Sequence, residues 1–176
     1  AQAQDQQARI EQAARMETAL LSPGRPAEDK VRDAARRPIQ SVQFLGLETG
    51  DTVIDVIAAG GWFTEVLSAA VGPTGKVLAQ NPQFFVSQPN FAATEKARHD
   101  RLGNVQAVHC ELAAAGIVAQ ADAAVTALNL HDVYGMGGEA AAVAFAKGVY
   151  DALKPGAIFG VMGFAYSAYF MATSFL

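Results

Sequence analysis

Asn129-Leu130-His131-Asp132, with Tyr134 close behind, is the densest run of side chains able to handle a proton. A histidine titrates near neutral pH and can take a proton from a hydroxyl or amine. Asp132 would then orient it or stabilise its charge, or would cap the next helix. Equally, His131 and Asp132 could hydrogen-bond their own loop and do no chemistry. The second candidate is Asp55-Val56-Ile57-Ala58-Ala59-Gly60-Gly61-Trp62. Small residues let a backbone approach a ligand, and a helix start offers unpaired N–H groups. Close packing of helix on sheet would demand the same small residues. Neither G-x-G-x-x-G nor G-x-x-x-x-G-K-[ST] is present, which removes the dinucleotide fingerprint and the P-loop.

The remaining reactive residue types have plainer expectations. Cys110, the single cysteine, reads as a small buried hydrophobe at a strand end and excludes an internal disulfide or a multi-thiolate metal site. Three histidines and scattered acids lack metal-ligand spacing, so no metal is expected. His99, in the charged run Glu95 to Arg101, reads as a surface residue. Trp62 reads as a packing residue or a wall of the site. Arg32, Asp33, Arg36 and Arg37 read as a solvated helix face or as a cover for the pocket.

The elements that would position these residues alternate from Leu47 onward. Thr52–Ile57 is a β-rich apolar run, and Trp62, Phe63, Val66, Leu67, Ala70 and Val71 follow at helical spacing until Gly72-Pro73. Lys76–Ala79 is a second strand. Asn90 opens a helix through Leu102 that Gly103 closes. Val105–His109, Ala123–Leu130 and Ala157–Phe164 are further strands, and Glu139–Leu153 is a helix ended by Lys154-Pro155-Gly156. Before them lie a polar helix over 4–21, the breaker Ser22-Pro23-Gly24-Arg25-Pro26, and a helix over 27–44 that Pro38 should kink or divide. Apolar strands alternating with helices require a parallel sheet covered on both faces, a doubly wound α/β domain over 47–176 preceded by a helical extension over 1–46. In such sheets ligands bind beyond the carboxyl ends of the strands, where both candidates lie.

Of the 176 residues, 51% are apolar, which permits a sizeable core and excludes global disorder. A formal charge of −4 argues against a nucleic-acid binder with a basic face. The opening Ala-Gln-Ala-Gln-Asp-Gln-Gln looks like a terminus left by signal-peptide cleavage, pointing to an exported or periplasmic location; a trimmed cytoplasmic chain explains it as well. Ile158–Leu176 carries no charge over nineteen residues, the length of a membrane span, but its glycines, serines and the preceding Pro-Gly turn favour a buried strand at its start.

Read together, Leu47-Glu48-Thr49-Gly50-Asp51-Thr52-Val53-Ile54-Asp55, Gly60-Gly61-Trp62-Phe63-Thr64-Glu65, Val71-Gly72-Pro73-Thr74-Gly75-Lys76-Val77 and Ala152-Leu153-Lys154-Pro155-Gly156 resemble class I S-adenosylmethionine-dependent methyltransferases. Arg32-Asp33, Arg36-Arg37-Pro38 and Asn129-Leu130-His131-Asp132 resemble a branch of predicted methyltransferases often made with export signals. The resemblance covers about residues 28–164 and implies a Rossmann-like sheet of order 3-2-1-4-5. It implies that S-adenosylmethionine lies against Ala59, Gly60 and Gly61, with Asp55 orienting the loop and the methionine amino group. Family glycines are replaced at Ile57 and Ala59. The second-strand acid that takes the ribose hydroxyls falls at Asn81, an amide without the carboxylate's charge or symmetry. Glu111 falls at the acid that contacts the adenine.

Two functions follow from the resemblance. One is a methyltransferase with a degenerate cofactor motif acting on a small molecule or other acceptor, with Asn129, His131, Asp132 and Tyr134 on the substrate. The other is a methyltransferase-like subunit that has lost the cofactor and serves as an interaction module in a larger, membrane-associated assembly. The family continues past the fifth strand with a helix and hairpin, whereas only Ala165–Leu176 remains here. Tyr166, Tyr169, Phe170, Met171, Phe175 and Leu176 should therefore pack on a partner subunit or membrane surface.

Overall fold

The computed structural model describes residues 2–163. Five strands, β1 (Thr52–Val56), β2 (Lys76–Gln80), β3 (Val105–Val108), β4 (Ala121–Ala127) and β5 (Leu153–Met162), form one parallel sheet in the order β3-β2-β1-β4-β5. The helices are α1 (Gln2–Leu20), α2 (Ala27–Arg36), α3 (Pro38–Leu45), α4 (Trp62–Val71), the single turn α5 (Gln83–Val86), α6 (Phe91–Leu102) and α7 (Leu130–Ala152). The parallel sheet is that expected from the alternating pattern, and its order with central β1 is that implied by the resemblance, so the fold is the Rossmann-like arrangement.

β1 shows why its residues had to be apolar on both sides. Val53 joins one core with Val66, Leu67, Met16, Leu20, Val42 and Leu45. Its neighbours Ile54 and Val56 join a second core with Leu78, Ala124, Val149 and Ala152 on the opposite face. A parallel central strand is covered twice, and each such buried side chain contributes roughly 1.5–3 kcal/mol. The helical extension shares the first core. α1 is mostly polar and attaches through Met16, Leu20 and two side chains that reach backbone. Gln12 Nε2 donates to Leu47 O at 2.8 Å and Ala70 O at 3.1 Å, and Arg15 Nη2 donates to Ala70 O at 2.7 Å. The bonds to Ala70 O satisfy a carbonyl in the last turn of α4, and the bond to Leu47 O ties α1 to the segment before β1.

Pro38 divides the second predicted helix as its missing N–H requires, with Arg37 left-handed at φ 45° between α2 and α3. Three boundaries differ from the sequence expectation by three residues or more. β4 ends at Ala127 rather than at 130, because Leu128 turns left-handed at φ 65° and Asn129 begins α7. α7 consequently starts nine residues early and is broken where expected to begin, at Gly138 (φ 67°, ψ −164°). Lys154-Pro155-Gly156 does not separate helix from strand. Leu153 already pairs with Ala121, and the register jumps to Ala123 opposite Ile158, so Pro155-Gly156 bulges out of an edge strand. Ile158–Met162 lies in β5 as expected but is not the buried strand expected, because at the sheet edge Ile158 and Val161 are exposed; among the described residues no helix is long and apolar enough to cross a membrane. The expected packing of Tyr166–Leu176, like Phe164 as the last strand residue, lies outside the described residues.

Candidate functional site

The turn after β1 is held by the end of β2. Ile57 N–H donates to Gln80 Oε1 at 3.0 Å, Ala58 N–H to Gln80 O at 2.9 Å, and Ala59 N–H to Asn81 Oδ1 at 2.7 Å. From the other side Asn129 Nδ2 donates to Ile57 O at 3.0 Å and Ala127 O at 2.8 Å. Gln80 also reaches across to Cys110 O at 2.7 Å, joining the ends of β1, β2 and β3. So supported, the turn holds left-handed backbone at Ile57 (φ 59°), Ala59 (φ 48°) and Gly61 (φ 78°). A left-handed residue other than glycine costs roughly 1–2 kcal/mol, and a β-branched one is a rarer outlier still. Ile57 and Ala59 are the two positions where the sequence resemblance calls for glycine; the residue type has changed and the glycine-type backbone has stayed.

Asp55 is fully buried beneath this turn, and its one hydrogen-bond partner is Thr64, whose hydroxyl donates at 2.6 Å. Burial pushes its carboxyl up to about 6, with the Thr64 bond pulling the other way. Thr64 stands between Asp55 and the space beyond the turn. That space is lined by Ala58–Gly61, Thr64, Asn81, Glu95, Arg98 and His99, and encloses only about 40 Å³. Arg98 of α6 fills it: a Cβ built on Gly61 would lie 2.7 Å from Arg98 Cδ and 2.9 Å from Nε. Nothing stands within 4 Å of a Cβ built on Gly60, so the turn is open on that side.

The Arg98 guanidinium ends in a buried ion-pair cluster. Its Nη1 donates to Asp29 Oδ2 at 2.8 Å and also to Glu65 Oε1. Glu65 is shared with Arg101 and with Arg25, whose Nε lies 3.5 Å from Glu65 Oε2. Asp29 also takes Arg32 at 3.3 Å. Trp62 Nε1 donates to Asp29 O at 3.1 Å and Asp33 Oδ1 at 3.0 Å, and Arg36 lies 4.7 Å over its ring. Trp62 is thus a buried packing residue, stacked on Phe63 at 5.5 Å. Of the charges of α2, Asp29 and Asp33 belong to this cluster, while Glu28 and Arg32 remain exposed.

Asn81 is buried and fully used: it accepts from Ala59 and donates from Nδ2 to Glu95 Oε1 at 3.0 Å. Glu95 in turn takes His109 Nε2 at 2.5 Å. Glu111 is exposed at the start of the short turn Leu112–Ala114 and does not line the cavity. His99, expected at the surface, is half-buried on the cavity wall because α6 folds over the turn; burial lowers its pKa, against the pull of Glu95. Cys110 is half-buried rather than buried.

At the end of β4 the geometry is different. His131 Nε2 and Asp132 Oδ1 are 3.3 Å apart in the first turn of α7, with side chains 58% and 63% exposed. Tyr134 is exposed beside them. None of the three lines the cavity at the β1 turn. Asn129 is the one member of that run tied to the turn, through Ile57 O. Gln80 falls in the 80–82 stretch where the resemblance places the cofactor, whereas Glu95, Arg98 and Asp29 carry no sequence signal that marks them as part of the site. Among the described residues no group of three or more His, Cys, Asp or Glu could hold a metal ion.

No protein-family model matches the sequence, and no curated protein matches it. Solved structures do share its architecture. A SAM-dependent methyltransferase from Aquifex aeolicus superposes with a TM-score of 0.56 at 23% identity, covering 78% of this chain and 71% of that one. A SAM-dependent O-methyltransferase from Thermotoga maritima gives 0.54 at 20% identity, covering 72% of this chain and 43% of the other. The chain thus spans from under half to about seven-tenths of these proteins' lengths. The likeness is one of fold, and the fold is that of S-adenosylmethionine-dependent methyltransferases.

Proposed function

We propose that the chain binds S-adenosylmethionine at the turn after β1 and is a methyltransferase. The observation that carries this reading is the turn itself. Its left-handed backbone at Ile57, Ala59 and Gly61 is kept at a cost in strain, and its N–H groups are fixed by Gln80 and Asn81. Strained backbone held by surrounding bonds concentrates at ligand sites. The structural neighbours, named as SAM-dependent methyltransferases, support the same ligand class.

The chemistry of the lining suits a nucleoside bearing an amino acid. Glu95, bonded through one oxygen to Asn81 and through the other to His109, keeps lone pairs that can accept from hydroxyls, and the open side of Gly60 admits close backbone approach. The volume does not suit it. Sites for ligands of this size enclose some 300–1,000 Å³, and 40 Å³ remain here. In the conformation observed the cofactor does not fit, so no catalytic step is derived through it. His131, Asp132 and Tyr134, exposed beyond the end of the adjacent strand, are the residues proposed to meet the methyl acceptor.

A second reading, a methyltransferase-like interaction module without cofactor, is favoured by that same filled cavity and by Ile57 and Ala59. Titration calorimetry of the full chain with S-adenosylmethionine separates the two. Saturable one-to-one binding supports the first reading. Absence of heat, repeated with the Arg98→Ala protein in which the cavity is enlarged, supports the second.

A further inference from the structure

The misfit between the ligand-shaped turn and its filled cavity lies in one helix. α6 covers the turn, yet Arg98 is its one buried side chain. A helix normally stays in place by burying an apolar stripe. α6 has no fully buried apolar residue and is attached instead by charged groups: Arg98 to Asp29 and Glu65, Arg101 to Glu65, and Glu95 to Asn81 and His109. Both of its ends are left-handed, at Asn90 (φ 62°) and Gly103 (φ 77°). Elements with few buried apolar contacts open at low free energy, independently of the sheet beneath.

Within this attachment the Asp29 contact is distinct. Glu65 lies on α4, immediately beside the turn, and keeps Arg25, which does not belong to α6, when Arg98 and Arg101 leave with that helix. Asp29 lies on α2 of the helical extension, outside the residues that line the cavity, and takes Arg98 from 69 residues away in sequence. It is 2% exposed, and the Arg98 it holds lays its stem against Gly61. We propose that Asp29 is a positioning residue that latches Arg98, and with it α6, over the turn after β1, and that a ligand enters only when this ion pair opens. The structure is then the latched form of the site. This rests on the proposed ligand class, but the latch itself is a property of the unliganded chain. Apparent affinity for a ligand that needs the open form falls in proportion to the fraction open, so weakening the latch tightens binding.

The test is amide hydrogen exchange of the full-length wild-type, Asp29→Asn and Arg98→Ala proteins, followed by calorimetric titration of each with S-adenosylmethionine. Asp29→Asn keeps the side-chain shape, and Arg98→Ala leaves Asp29 with Arg32 and Glu65 with Arg25 and Arg101, so each acid keeps a partner. Expected is exchange over Phe91–Leu102 at least tenfold faster in both variants, with β1 amides unchanged, and binding at least fivefold tighter in Asp29→Asn. Unchanged exchange in α6 would overturn the latch. So would faster exchange with affinity equal to or weaker than wild type, since loss of structure alone cannot tighten binding. Faster exchange in α6 with no S-adenosylmethionine bound by any of the three proteins would support the latch and overturn the cofactor reading instead.

Discussion

The two neighbouring strand ends that carry candidate residues, at the same carboxyl edge of the sheet, are built on opposite plans. After β1, the amides of Ile57, Ala58 and Ala59 are captured by Gln80 and Asn81, the turn sits over a buried acid, and Arg98 closes it. After β4, His131, Asp132 and Tyr134 stand in solvent, and Asn129 alone is bonded inward, to the first turn. Fixing backbone before a ligand arrives lowers the cost of binding it. The β1 turn has that preorganisation and no room; the β4 end has room and no preorganisation. A site that functions needs the first opened and the second ordered, and both changes would occur in the segments that cover the sheet, not in the sheet.

The largest effect is expected from Gly61→Val, which breaks the ordered end. Its left-handed φ costs about 1–2 kcal/mol for any side chain, and the new Cβ would meet the Arg98 stem at 2.7 Å. Urea denaturation should show a loss of about 3–5 kcal/mol. The substitution therefore reports on the packing of α6 as much as on a ligand, and Gly61→Val combined with Arg98→Ala should recover part of the loss.

Next in size is the pH dependence set by Asp55. Its folded carboxyl is raised to about 6 from an unfolded value near 4, so between those values the folded state holds the extra proton. Stability contributed by this group is therefore full below pH 4 and lost as pH rises to 6, by about 3 kcal/mol. The difference in unfolding free energy between wild type and Asp55→Asn, measured from pH 4 to pH 7, should change by that amount in the direction of the variant. A flat difference would mean that the carboxylate is solvated or paired, and the turn above it looser than the structure has it.

How much of this arrangement is readable in the sequence depends on whether local pattern decides it. The strands and α4 follow from apolar periodicity and from glycine-bearing turns, which are short-range signals, and the order 3-2-1-4-5 from the resemblance of those turns taken together. The division at Pro38 follows from one missing N–H. The start of α7 does not, because Leu128 leaves the strand conformation through a left-handed residue that no propensity favours. Cys110 and His99 were misjudged for a different reason. Their exposure is set by where α6 and the Leu112–Ala114 turn settle, a tertiary matter. The Asp29–Arg98 contact is the least readable of all, since two charged residues 69 positions apart carry no mark of their pairing. Asn81 was legible as a departure from an acid, but not its consequence, that it bonds the turn and Glu95 together.

A smaller effect, of opposite sign, should come from Ala59→Gly. Alanine at φ 48° is strained, and glycine adopts that conformation freely. The gain is reduced by the greater entropy of glycine in the unfolded chain, leaving a stabilisation of about 0.5–1 kcal/mol. A destabilised variant would show that the Ala59 methyl is packed rather than tolerated.

The smallest change in stability belongs to the exposed end. His131 and Asp132 stand 3.3 Å apart with more than half of each side chain in water, and so exposed a contact contributes within about 0.5 kcal/mol. His131→Ala and Asp132→Ala should therefore leave the denaturation midpoint unchanged, whereas Asn129→Ala, which releases Ile57 O, should lower it measurably. That contrast separates the two roles the run can have. A residue that orders its loop shows its loss in stability; a residue kept for an acceptor shows it only in turnover, by about 10²-fold or more for a general base. If His131→Ala destabilises the fold as much as Asn129→Ala does, the β4 end is ordered after all and its histidine is structural.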